Sequence, residues 1–104
     1  MTLPTYPVHE PDAGVRRQVL AESPAQMVVS FRFQTGAKGK LHSHPHVQST
    51  YVATGRFEFY RDGQTHLLSA GDSLVIPSGI EHGCTCLEQG ELIDCFSPRR
   101  DDFL

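Results

Sequence analysis

The sequence predicts an all-β single domain, a double-stranded jelly-roll barrel. Two observations carry this reading. Apolar residues cluster in short runs of about four to eight, rich in Val, Ile, Phe, Tyr and Thr, and turn-forming residues separate one run from the next. No run sustains a helical period for three turns, so long helices are not expected.

Taken in order, the first dozen residues, MTLPTYPVHEPD, contain prolines and little periodicity, and predict a weakly ordered arm over residues 1–14 that can dock on a partner subunit. The folded domain then spans residues 15–104. Strand-like runs follow as VRRQVL, QMVVSFRF, QSTYVA, RFEFYR, QTHLLS, SLVIP and ELIDCF. The punctuation between them is explicit: residues 35–39 (TGAKG), Thr54-Gly55, the hairpin signal Asp62-Gly63, Ala70-Gly71-Asp72, and Pro77-Ser78-Gly79. Eight or nine short antiparallel strands in a chain of 104 residues favour a jelly roll over an immunoglobulin-like sandwich.

Composition narrows the function classes. The chain is 38% hydrophobic and 20% charged with a formal net charge of -3, which offers no basic surface for nucleic acid. No stretch approaches the roughly 20 apolar residues of a membrane helix, and the start lacks a signal-peptide pattern, so a cytoplasmic protein without a membrane partner is expected. Cys84, Cys86 and Cys95 are odd in number and lack zinc-knuckle or thioredoxin spacing, which reads as buried reduced thiols.

The chemistry concentrates in HSHPHVQ, residues 42–48. If residues 40–44 are extended, His42 and His44 project to the same face, where one metal ion can touch both. Gln48 follows a Pro45-containing corner, and His82 sits just past the Pro77/Gly79 turn. These spacings resemble the two motifs of the cupin superfamily. Gly36, His42-x-His44, Gln48 and Gly55 match the first, with Gln in place of the usual Glu. Gly71, Pro77-x-Gly79 and His82 match the second, with Cys86 where Asn is usual. The resemblance implies a small cupin barrel holding a divalent transition metal through His42, His44, Gln48 and His82. Nickel, zinc, iron, cobalt, manganese and copper all suit such a site. A neutral shell leaves the ion's charge uncompensated, which strengthens it as a Lewis acid and argues against ferric, oxygen-activating chemistry. His46 has no ligand role in the pattern, and the sequence leaves its role open between a turn residue and one that supports the site or contacts substrate, while His9 and His66 read as surface residues.

Along an extended ELIDCF, Leu92, Asp94 and Phe96 share one face. A carboxylate between two apolar neighbours on an inward face is costly unless it works or is paired. If that face lines the barrel, Asp94 is a titratable group opposite the metal, Phe96 a wall for a sugar, and Arg99 or Arg100 a clamp for a substrate carboxylate. The alternative is an outward Asp94 and a solvated, self-pairing PRRDD tail.

The ending FSPRRDDFL, with IDCF before it and the histidine pattern upstream, resembles the KdgF family of small bacterial cupins, pectin-degradation proteins that linearise unsaturated uronates. The likeness runs from about Gly36 to Leu104. The gap from His44 to Gln48 is one residue shorter than is usual in that family. The resemblance implies that Asp94 and Arg100 are catalytic, that Phe96 and Arg100 bind substrate, and that the reaction opens 4,5-unsaturated uronate monosaccharides from pectin or alginate to 5-keto-4-deoxyuronate. A metal-dependent dioxygenase and a non-catalytic sugar- or acid-binding cupin are the alternatives. A homodimer is expected by analogy with other small cupins.

Overall fold

The computed structural model describes residues 1–104. Eight strands form one antiparallel sheet rolled into a jelly-roll barrel: β1 (Val8–Asp12), β2 (Val15–Ser23), β3 (Gln26–Phe33), β4 (Lys38–His42), β5 (Val47–Arg61), β6 (Gln64–Ser69), β7 (Ser73–Ile76) and β8 (His82–Ser97). The main path of the sheet runs β1-β2-β3-β8-β5-β6, with β4 pairing β8 and β7 pairing β5. Its one helical element is a 3-10 turn at Asp101–Phe103, and no helix is long and apolar enough to cross a membrane.

Two long strands organise the barrel. The run QSTYVA and the run RFEFYR are not separate strands but one, β5, and β8 likewise carries through from His82 to Ser97. The expected turn at Thr54-Gly55 is instead a bend inside the β5–β8 pair, marked by register shifts between Val52 and Phe57. Close approach explains it. Gly55 has φ 83°, and a Cβ on Gly90 opposite would lie 2.1 Å from the Thr54 carbonyl oxygen, so both strands can bend together only where both side chains are absent.

The expected arm is partly sheet. Val8–Asp12 pairs with β2 as an edge strand, and Pro11 lies where that register shifts, so its missing N–H costs little. Upstream, the half-buried Tyr6 packs against the Val19, Met27, Val29 and Phe96 cluster, and its carbonyl accepts from Gln18 Nε2 at 3.0 Å.

A larger cluster, including Val52, Phe57, Ile76 and Leu92, fills the other part of the barrel. Cys84 and Cys86 belong to it; Cys95 is half-buried, because Asp94 and Phe96 take the inward positions on either side of it. His66 is also half-buried rather than superficial, since it shares the inward phase of β6 with Leu68.

Candidate metal and substrate site

Register brings the site together. His42, the last residue of β4, lies directly opposite His82, the first of β8. Gln48 and Thr50 on β5 face Phe96 and Asp94 on β8. All four side chains are buried and therefore share the inner face. His44 lies just past the end of β4, and the chain still returns it to the cluster: its ring centroid is 4.8 Å from that of His82 and 5.5 Å from that of His42.

The three histidines can each place a nitrogen within 4.8 Å of the others. Backbone carbonyls fix their tautomers. Nδ1 donates to Lys40 O at 2.6 Å in His42, to His46 O at 3.0 Å in His44, and to Ile80 O at 2.9 Å in His82. A carbonyl only accepts, so each Nδ1 carries the proton and each neutral ring presents its Nε2 lone pair, as a metal ligand must. Burial holds His44 below the ordinary histidine range and pushes His82 down to about 4, which keeps both neutral.

Two details test whether an ion fits. His82 Nε2 is buried with no hydrogen-bond partner. His44 Nε2 faces Gln48 Oε1 at 2.9 Å, while the Gln48 amide nitrogen donates to Thr50 Oγ1 at 3.0 Å. Two lone pairs facing each other repel unless a cation lies between them and the remaining donors. Ligand atoms about 2.1 Å from one ion, at right angles, are about 3.0 Å apart. The donor set of His42, His44, His82 and Gln48 therefore fits a divalent metal. His46 contributes through its backbone, orienting His44.

Beside this cluster is a cavity of about 260 Å³, whose wall includes His42, His82, Gln48, Asp94, Phe96 and Arg100. Asp94 is 6% exposed and its Oδ1 has no partner. Burial pushes its carboxyl up to about 7, against the pull of the neighbouring Thr50 and Gln48 side chains and the Arg100 charge. Phe96 is buried, with its ring 5.7 Å from that of His44 at a steep angle.

The tail folds back over this end of the barrel. Arg99 bonds Asp101 at 2.7 Å and approaches Glu22 of β2 at 3.4 Å, so it ties the tail down outside the cavity. Arg100 turns inward and is held by Asp102 through Nε at 3.0 Å and Nη2 at 2.8 Å. Its guanidinium lies 5.2 Å from the Phe96 ring centre and 4.3 Å from that of Phe103. The tail is thus self-pairing and cavity-lining at once.

Thr50, Phe103 and Arg17 also belong to this region, although no motif in the sequence marks them. Thr50 was within reach, two residues past Gln48 on the same strand face. Arg17 occupies the inward phase of Val15-x-Arg17-x-Val19, where an arginine is unusual.

Residues 29–94 match the family described as "Cupin domain". The pectin degradation protein KdgF of Dickeya dadantii (strain 3937) is 40% identical over 100 residues, which cover 94% of this chain and 91% of that protein. The solved structure of KdgF from Halomonas sp. aligns with a TM-score of 0.90 at 37% identity, covering 99% of this chain and 100% of that one. An RmlC-like cupin from Shewanella frigidimarina NCIMB 400 aligns with a TM-score of 0.91 at 39% identity, covering 95% and 89%. With the family model matching residues 29–94 and 40% identity to a KdgF protein covering 94% of the chain, this chain belongs to the cupins and, within them, to the KdgF family.

Proposed function

We propose that this protein acts in pectin breakdown as a metal-dependent enzyme that opens the ring of 4,5-unsaturated uronate monosaccharides, giving linear 5-keto-4-deoxyuronate. The similarity to KdgF proteins supports the substrate class. The observation that carries the chemistry is Asp94: a buried carboxyl with an unpartnered oxygen, in the same cavity wall as His42, His82, Gln48 and Arg100.

The substrate is a cyclic hemiacetal with a double bond between C4 and C5. Breaking the bond from C1 to the ring oxygen leaves an aldehyde at C1 and an enol at C5. Moving the enol proton to C4 leaves a ketone at C5, so the product is an isomer and nothing is oxidised or hydrolysed. Asp94 Oδ1 takes the proton from the C1 hydroxyl or delivers one toward C4. Phe96 packs on the sugar face, and the N–H groups of Arg100 that Asp102 leaves free are donors for the ligand. When bound, a divalent ion supplies Lewis-acid stabilisation of negative charge on a nearby oxygen. A cytoplasmic location and a homodimer belong to the same reading, and fractionation and sedimentation test them.

The decisive assay uses unsaturated monomer released by a polyuronate lyase and follows loss of the absorbance of its conjugated double bond. Acceleration that a chelator removes supports the reading; no acceleration by a verified metal-loaded sample retires it. Asp94→Asn is expected to lose turnover with metal content unchanged, and equal activity in that variant would remove Asp94 from the mechanism.

A further inference from the structure

We propose that Arg17 is the anion-recognition residue of the cavity, pairing with the carboxylate of a sugar acid. The inference rests on the uronate reading for the identity of the ligand, but on the cavity's own charges for its placement.

Arg17 lies on β2 between the buried Val15 and Val19, opposite Phe31 of β3, so its side chain points into the barrel. Three cations line the cavity. Lys40 is largely exposed and faces Asp12 at 3.4 Å. Arg100 is gripped by both oxygens of Asp102. Arg17, half-buried, makes no side-chain hydrogen bond and no ion pair; its guanidinium rests 4.1 Å from the Phe103 ring centre.

The arrangement is a charge left over. Two guanidiniums pack on one ring, and Asp102 is the carboxylate that offsets them, so the group of three carries a net single positive charge facing the cavity. Burial and the Arg100 charge both disfavour the protonated Arg17, with Asp102 acting the other way. A guanidinium that is desolvated without a partner is costly, and an arginine does not escape the cost by losing its proton. A ligand carboxylate relieves it with two parallel N–H···O bonds. Asp102 already occupies two donors of Arg100, so the side chain of the cavity wall left with an unpaired charge for an anion is Arg17, acting beside the charge of a bound ion and with Arg100 as a second donor.

A purely structural Arg17, packing on Phe103, would affect stability without telling an acid from a neutral sugar. The test exploits that difference. Binding of D-galacturonate and of D-galactose to metal-loaded protein is measured by calorimetry for the wild type, Arg17→Gln and Arg17→Lys, with the melting temperature of each. Expected are a wild-type preference for the acid, its weakening by about 10- to 100-fold in Arg17→Gln with galactose binding unaltered, and partial recovery in Arg17→Lys, which keeps the charge but not the fork. In turnover of the unsaturated uronate, Arg17→Gln is expected to raise KM far more than it lowers kcat. Unchanged acid binding in Arg17→Gln, or equal loss of acid and neutral sugar, overturns the proposal even where the wild type opens uronates. Arg17-dependent acid binding without turnover retires ring opening and leaves Arg17 in place. A wild type that neither prefers the acid nor turns over uronate retires both.

Discussion

Replacing Asp94 with Asn should change how the metal-free protein's stability depends on pH. The carboxyl is raised from an ordinary 3.8 to about 7, chiefly by burial. Below 3.8 it is protonated in both folded and unfolded chains and contributes nothing to the difference between them. As pH rises through the window from 3.8 to about 7, the unfolded chain releases this proton while the folded chain holds it, so the wild type loses stability relative to the variant. At 1.36 kcal/mol per pH unit, the loss approaches about 4 kcal/mol by pH 8. His82 acts in the opposite sense: lowered to about 4, it binds its proton less readily when folded and adds stability as pH rises from about 4 to 6.5. The two oppose each other in the wild type, and only the difference between wild type and Asp94→Asn isolates the carboxyl. Urea unfolding of both proteins, with chelator, from pH 3.5 to 8 measures it. Two parallel stability curves would refute the view that Asp94 is desolvated and kept protonated by the fold. Added divalent metal should flatten the difference, because a cation nearby favours the ionised carboxylate.

Free divalent metal at 100 times its Kd should stabilise the wild type by about 2.7 kcal/mol. That corresponds to a rise in melting temperature of about 10 to 20 °C, read by differential scanning calorimetry and absent in His82→Ala. Gln48→Glu should bind divalent metal about tenfold or more tightly by adding an anionic donor to a neutral set, measured by competition with a chelator of known affinity. Gly90→Ala should destabilise by about 3 kcal/mol or more in urea, since its Cβ meets the Thr54 carbonyl oxygen at 2.1 Å. Gly63→Ala, at a hairpin tip with nothing within 4 Å, should cost about 1 to 2 kcal/mol, for its positive φ alone.

Legibility in the sequence followed the range of the interaction that decides each feature. The face shared by Asp94 and Phe96 depends on a two-residue period and could be read locally; His42 and His44 could be paired by spacing but not by strand alternation, because β4 ends at His42 and the chain beyond it returns His44 to the cluster. What could not be read locally was continuity: Thr54-Gly55 looks like a turn until Gly90, thirty-five positions later, is seen to lie against it. The edge strand within the N-terminal segment is hidden for a similar reason. Nothing within VHEPD marks a strand, and its order comes from pairing with β2 and from the anchoring of Tyr6.

The tail illustrates the same limit at the site itself. PRRDD reads equally well as a solvated self-pairing segment or as a clamp, and both descriptions hold, for different arginines. Arg99 faces outward because Glu22 waits on β2, and Arg100 turns inward because Phe96 and Phe103 offer it a flat apolar surface. The consequence for recognition is electrostatic. Each arginine of the tail comes with its own aspartate two positions on, so the tail brings donors and shape to the cavity mouth but no net charge. Among the side chains of the inner face the unpaired cation is Arg17, some eighty positions upstream and on a different strand, so on this proposal the anion is held between that guanidinium and the charge of a bound ion.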